Sequence, residues 1–392
     1  MNTLGLVYTI QGSDPSLKPT LLAAHQDVVP VADESTWTHP PFAAVYDGEW
    51  LWGRGASDDK NSLTALMSAV DALLDEDHEW QPKRTLILAF GFDEECSGYR
   101  GAGFIGEFLT ERFGDDGIAV ILDEGGLGMM PVGEDVLYAL PAVMEKGHLD
   151  IYFELSVKGG HSSIPFPHTA IGIIAEIVSA LEAKPYEPEL LKDSPVHRHM
   201  QCQARYSPDA MPDLTDLIRE GDLDGTAALL AEMNPAAQFM IQTSQSVDLI
   251  EGGQKINAMP EHVTLGVNYR VAPQDSIPQI QHNVLEYIRE VVARYDLNVT
   301  AYDGDEDYKE YVAQLAPPDE VVDAAWEVDY NGTLVLEASE KSNVTPVSPT
   351  SGPVWDTFSG TIQHTYAFEG GVVVPVGEIM TGNTDTRHYL SK

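Results

Sequence analysis

TLILAFGFDEE, residues 85–95, decides the fold. From Thr85 to Phe92 there is no charge and no polar alternation, which reads as a short strand buried on both faces. Three acids follow at once: Asp93, Glu94 and Glu95. Adjacent carboxylates repel one another, so that arrangement is costly unless something cationic shares the site. The plainer reading, a solvated acidic loop, stays open on local grounds.

Working outward, residues 20–31 (TLLAAHQDVVPV) and 118–122 read as two more buried strands. Residues 63–74 (LTALMSAVDALL) carry the three-to-four spacing of a helix. The pattern is that of an α/β domain, in which sites gather beyond the carboxyl ends of strands. The texture then changes. Residues 149–157 (LDIYFELSV) alternate like a strand with one open face, residues 170–183 and 277–295 are helical, and 263–271 is a further strand. This segregation predicts an inserted α+β domain. Residues 185–250, rich in proline and acidic groups, are an elaboration of it. The first architecture returns near Pro349, with a helix at 354–364 and a strand at 372–376. The predicted fold is α/β, a first domain interrupted by an inserted α+β domain. Its boundaries fall at 1–148, 149–345 and 346–392.

Composition bounds the function. The 392 residues hold 62 Asp and Glu against 22 Lys and Arg, a net charge of −40. Such a surface repels phosphate backbones and excludes nucleic-acid partners. No apolar run is long enough for a transmembrane helix, and residues 1–5 carry no signal-peptide pattern. Two cysteines, Cys96 and Cys202, make neither a disulfide framework nor a cysteine zinc site. Three N-x-S/T sequons, at Asn298, Asn331 and Asn343, favour the secretory pathway.

Four clusters carry chemistry, all at strand ends. In His25-Gln26-Asp27 the outer pair share a strand face, so Asp27 can hold one imidazole nitrogen while the other meets a metal. The glycine-rich turn Gly53-Arg54-Gly55-Ala56-Ser57-Asp58-Asp59-Lys60 brings a carboxylate into a crowded centre, or simply caps a helix. Asp93-Glu94-Glu95 can supply a ligand and a general base. Asp123-Glu124-Gly125-Gly126 ends another strand, or makes a turn. Singly, each has a structural explanation; in this order they form a specific series.

At this point the chain resembles the co-catalytic dizinc peptidases that include carboxypeptidase S and the aminoacylases, over residues 18–389. The phrases Lys158-Gly159-Gly160-His161-Ser162-Ser163-Ile164-Pro165 and Gly382-Asn383-Thr384-Asp385-Thr386-Arg387-His388-Tyr389 point to the carboxypeptidase S branch. The resemblance implies a catalytic domain with a central mixed sheet, an inserted α+β dimerisation (lid) domain, and two zinc ions per subunit. It makes His25 a ligand of one, steered by Asp27; Asp58 a bridge, with a following peptide bond often cis; Glu94 the general base; and Glu95 a ligand of the other metal. Glu124 completes the His25 side, with Asp123 as the alternative. It further implies a homodimer in which His161 reaches the partner's site and stabilises the oxyanion, and substrate contacts from Asn257 and Arg270. The substrates implied are short peptides or N-acyl amino acids, and the compartment a vacuole or secretory lumen.

Two departures accompany it. The family's remaining ligand, a histidine some 30–40 residues past the Gly-x-Thr-Asp-x-Arg phrase, is not reached before Lys392, and His388 is not that ligand. Met1 likewise falls just before the first expected strand. The expectation is therefore a chain truncated at both ends that binds at most one zinc tightly and hydrolyses slowly, with a non-catalytic relative or dimeric binding protein as the alternative.

Overall fold

The computed structural model describes residues 4–75, 80–315 and 328–390. The expectations attached to Met1 and Lys392 lie outside the described residues. Contacts divide the chain into two units, Met1–Gly125 with Asn383–Lys392, and Gly126–Gly382.

The first unit is built on a four-stranded sheet in the order Leu6–Ile10, Leu86–Gly91, Thr20–His25, Val120–Leu122. The first pair is antiparallel and the others are parallel, so the sheet is mixed. Leu86–Gly91 is an interior strand, and its unbroken apolar run has a simple cause. Ile87 and Ala89 face one side, where helix Ala102–Phe113 contributes Ala102, Ile105 and Leu109. Leu88 and Phe90 face the other, against Leu63, Leu66 and Val70 of helix Lys60–Leu74. Ile87 and Leu21 have no exposed surface at all, and burying each such side chain contributes about 1.5–3 kcal/mol.

Register fixes where two of these strands stop. Thr20 pairs with Leu86 and His25 with Gly91, so the two end level. The strand read as 20–31 stops at His25. Its partner gives way to the acidic loop at that point, and Gln26 N makes the last ladder bond, to the Gly91 carbonyl.

The second unit centres on a five-stranded sheet in the order Ser244–Gly252, His262–Val271, Gly147–Ser156, Thr333–Ser342, Asn298–Ala301. Helices Ala170–Glu182 and Ile277–Arg294 cover one face with Ile173, Ile177, Ile280 and Val284. The alternation read at 149–157 is the burial pattern of Gly147–Ser156, with one side of the strand buried and the other part-exposed. The proline-rich segment folds as four helices, Pro195–Tyr206, Pro212–Glu220, Leu223–Met233 and Pro235–Met240. Three of them start on proline, whose fixed φ and missing N–H cost nothing in the first turn. Gly128–Val132, Val136–Leu140 and Val372–Pro375 form a separate small sheet, and Glu378–Met380 pairs with Ala142–Glu145. Residues 126–146 and 343–382 thus group with the five-stranded sheet by contact.

Candidate metal centre

The level strand ends of the first unit set His25 beside the loop that begins after Gly91. The imidazole is 1% exposed. Its Nδ1 lies 3.2 Å from Asp27 Oδ1, and its Nε2 lies 2.9 Å from Asp58 Oδ1, 3.3 Å from Glu124 Oε1 and 4.0 Å from Glu94 Oε2. Asp27 does more than face the ring. Its two carboxylate oxygens accept the amides of Glu94 and Glu95 at 3.2 and 3.1 Å, fixing the acidic turn to the neighbouring strand end. Asp58 precedes helix Lys60–Leu74, and the Asp58–Asp59 peptide is cis. Asp59 is buried, and its carboxylate accepts the His25 amide at 3.1 Å.

Two sets of donors come together, His25 with Asp58 and Glu95, and His25 with Glu94 and Glu124, each with its ligand atoms within 4.8 Å of one another. Both share His25. Glu94, read from the sequence as the base, stands among the carboxylates of the second set.

The electrostatics are those of a cluster with too much negative charge. Burial opposes a charged imidazole, yet the carboxylates of Asp27, Glu124 and Asp58 outweigh it and push His25 up to about 12. Burial, then the charges of Glu124 and Asp385, push Glu94 up to about 8. Asp385 is pushed up to about 7, chiefly by burial. Burial also raises Glu95 and Glu124, and carries Asp123 well above the usual carboxylate range. The ion pairs of Asp27, Asp58, Glu94 and Glu124 are all with His25. The nearby Lys60 ammonium is directed instead to the Gln26 carbonyl. Among the described residues, Asp123 Oδ2 and Asp385 Oδ1 are buried without a hydrogen-bond partner. One imidazole nitrogen among several carboxylate oxygens, with no lysine or arginine ion pair to these four among the described residues, is a set of donors that could hold a divalent cation.

Asp59, Asp93 and Asp385 belong to this neighbourhood and were not singled out in the sequence. Asp93 Oδ1 and Oδ2 accept the amides of Gly101 and Arg100 at 2.7 and 2.9 Å, closing the loop on itself. The only signals for them were adjacency to Asp58 and Glu94, and a place in the phrase at 382–389.

The remaining sequence-read residues lie in the second unit. His161 is exposed, with Nδ1 2.8 Å from Ser163 Oγ. Its short strand pairs with Ala258–Met259, and Ser162 N donates to the Asn257 carbonyl at 3.3 Å, so His161 and Asn257 are neighbours. Arg270 stands on the central sheet, across the ladder from His148.

The model of peptidase family M20/M25/M40 matches residues 21–392. Carboxypeptidase S of Saccharomyces cerevisiae is 38% identical, covering 100% of this chain and 67% of its own length. The N-fatty-acyl-amino acid synthase/hydrolase PM20D1 of Mus musculus is 31% identical, over 98% of this chain and 67% of that protein. The chain spans about two thirds of the length of the curated relatives it matches. Among solved structures, an M20 family metallo-carboxypeptidase from Sulfolobus solfataricus shares the fold, with a TM-score of 0.59 at 17% identity, covering 98% of this chain and 77% of that one.

Proposed function

The chain belongs to peptidase family M20/M25/M40, and from that premise we propose that it hydrolyses the amide bond of short peptides or N-acyl amino acids, releasing an amino acid with a free carboxylate. The observation that carries this reading is the convergence of His25, Glu94, Glu95 and Glu124, at or just beyond strand ends of one sheet, with Asp58 from the turn that precedes helix Lys60–Leu74.

In this reading His25, Asp58, Glu95 and Glu124 would hold zinc. The distance from His25 Nε2 to Glu124 Oε1 favours Glu124 over Asp123, whose Oδ1 already accepts the Glu124 amide. Bound zinc would supply Lewis-acid polarisation of the scissile carbonyl and ease the loss of a proton from water. Asp27 holds the His25 ring through Nδ1 and leaves Nε2 facing the carboxylates. Glu94, largely buried and paired only with His25 among the described residues, takes a proton from the attacking water and passes it to the leaving nitrogen. His161 stabilises the oxyanion of a second copy of the chain, and the Arg270 fork takes the substrate carboxylate, beside a contact from Asn257. A homodimer is supported by the open edge strand Ser244–Gly252, where Leu249 and Ile250 are exposed.

The site of action is the vacuole or secretory lumen. Asn298, Asn331 and Asn343 all present exposed side chains. Among the described residues, no helix is long and apolar enough to cross a membrane.

Glu94→Gln is the direct test. It should lower kcat on N-acetyl amino acids or dipeptides by about 10²–10⁴-fold, the usual worth of a positioned acid–base group, with metal content retained. Turnover that survives the substitution overturns the assignment.

A further inference from the structure

We propose that the turn Asp385–His388 is a clamp that positions the loop bearing Glu94 and Glu95, with His388 as its positioning residue. This rests on the roles proposed above for those two glutamates.

The loop leaves the interior strand at Gly91 and rejoins the fold at helix Ala102–Phe113. From within it is tied by Asp93, and from the neighbouring strand end by Asp27. A third set of contacts comes from a part of the chain far away in sequence. His388 Nε2–H donates to the Ser97 carbonyl at 2.8 Å. The Ser97 amide in turn donates to the Glu94 carbonyl at 2.8 Å, so the imidazole reaches Glu94 through the backbone of a single residue. The same ring meets Tyr99 edge-on, with centroids 5.5 Å apart.

Asp385 fits a notch that only glycine leaves open. A Cβ on Gly91 would come within 2.6 Å of Asp385 Oδ2, and one on Gly98 within 2.1 Å of Oδ1. Gly98 also has a φ of +66°, which side-chain-bearing residues rarely adopt. The clamp is anchored at its far end by Tyr389, 2% exposed, in the core with Leu21, Ile87, Ala102 and Ile105. Thr384 caps it by accepting the Thr386 amide. His388 is therefore committed to a backbone carbonyl and stands outside both donor sets. It acts on the centre by holding the loop still, and partners that merely orient metal ligands are commonly worth about 10–100-fold in affinity.

The test compares His388→Phe, which keeps the ring but removes the donor, with His388→Gln, whose amide can reach the same carbonyl. The readouts are hydrogen exchange of peptide 92–101 in the metal-free protein and the affinity for zinc alone, by competition with a chelating dye. His388→Ala serves where the phenylalanine variant does not fold. The clamp requires faster exchange in that peptide and about 10-fold or more weaker zinc binding in Phe, with Gln close to the parent in both. It is overturned if Phe matches the parent, if Gln is as damaged as Phe, or if exchange rises without loss of zinc affinity. None of these readouts uses turnover. Activity surviving in Glu94→Gln would sink the catalytic reading and leave the exchange result standing.

Discussion

Each unit contains a buried histidine against a buried or largely buried glutamate, and the two pairs behave in opposite ways. In the second unit His199 Nδ1 lies 2.5 Å from Glu378 Oε2, with 3% and 0% of the side chains exposed. The other oxygen, Oε1, accepts the Ile379 amide, and Tyr138 packs on the ring. One base meets one acid, and the carboxylate is satisfied on both oxygens. In the first unit His25 faces Asp27, Asp58, Glu94 and Glu124 together, while Asp123 and Asp385 keep buried oxygens without partners. A buried histidine–carboxylate contact is thus no sign of a site. The sign is a local excess of one charge that the protein itself does not neutralise.

The largest effect that would separate the two is on metal binding. His25→Phe should weaken zinc binding by more than the ~10–100-fold expected for loss of an orienting partner, whereas His199→Phe should leave it unchanged by equilibrium dialysis. Equal losses would erase the distinction. Stability should respond the other way round. Glu378→Gln removes a charged acceptor from a closed pair and should cost about 1–3 kcal/mol in urea unfolding, with metal content intact.

The third contrast is in protons. In the metal-free protein His25 (up to about 12) and Glu94 (up to about 8) both hold a proton at pH 7 that the unfolded chain has released. Asp385, at about 7, holds one through the acid range. The native state then binds more protons than the unfolded one, so stability falls as pH rises. The window runs from about 5 to 7. Above it the buried Lys146, lowered to about 7, works in the opposite sense. Chelator-treated protein should melt at a lower temperature at pH 7 than at pH 5.5. Zinc binding should release at least one proton, read from the buffer dependence of the calorimetric heat. No proton release would mean that the carboxylates are already balanced.

The smallest effect is the most diagnostic in sign. Asp123→Asn removes a carboxyl group whose ionisation burial opposes and whose Oδ2 has no hydrogen-bond partner among the described residues, and should raise the melting temperature of the metal-free chain at pH 8 by a few °C, about 1 kcal/mol for a chain of this size. A fall would show that Asp123 has a partner there.

Much of the first unit was legible because its interior strands, Thr20–His25 and Leu86–Gly91, are largely buried. Residues 85–92 and 118–122 gave uninterrupted apolar runs, and the acids followed at their ends. Overshoot came where a ladder ends for lack of a partner, as after His25, which no local pattern records. The short strands at Gly128–Val132 and Val136–Leu140 were missed, as was Thr333–Ser342, whose far half carries Glu337, Glu340 and Lys341 on exposed or half-exposed positions. Asp385 and His388 went unread as supports for a different reason. Their role lies in contact with Gly91, Ser97 and Gly98, and sequence separation hides a notch made by two glycines.

The clamp also sets an order of events during synthesis. The second unit, Gly126–Gly382, is one continuous stretch, whereas the first is interrupted by it and closes only with Asn383–Lys392. A ribosome delivers both glutamates early and the turn that steadies them only after the whole second unit has emerged. Until then the loop keeps its ties to Asp27, Asp93 and the Val29 amide but lacks those of the turn. A nascent chain arrested at Gly382 should therefore exchange its 92–101 amides as freely as the His388→Phe protein does.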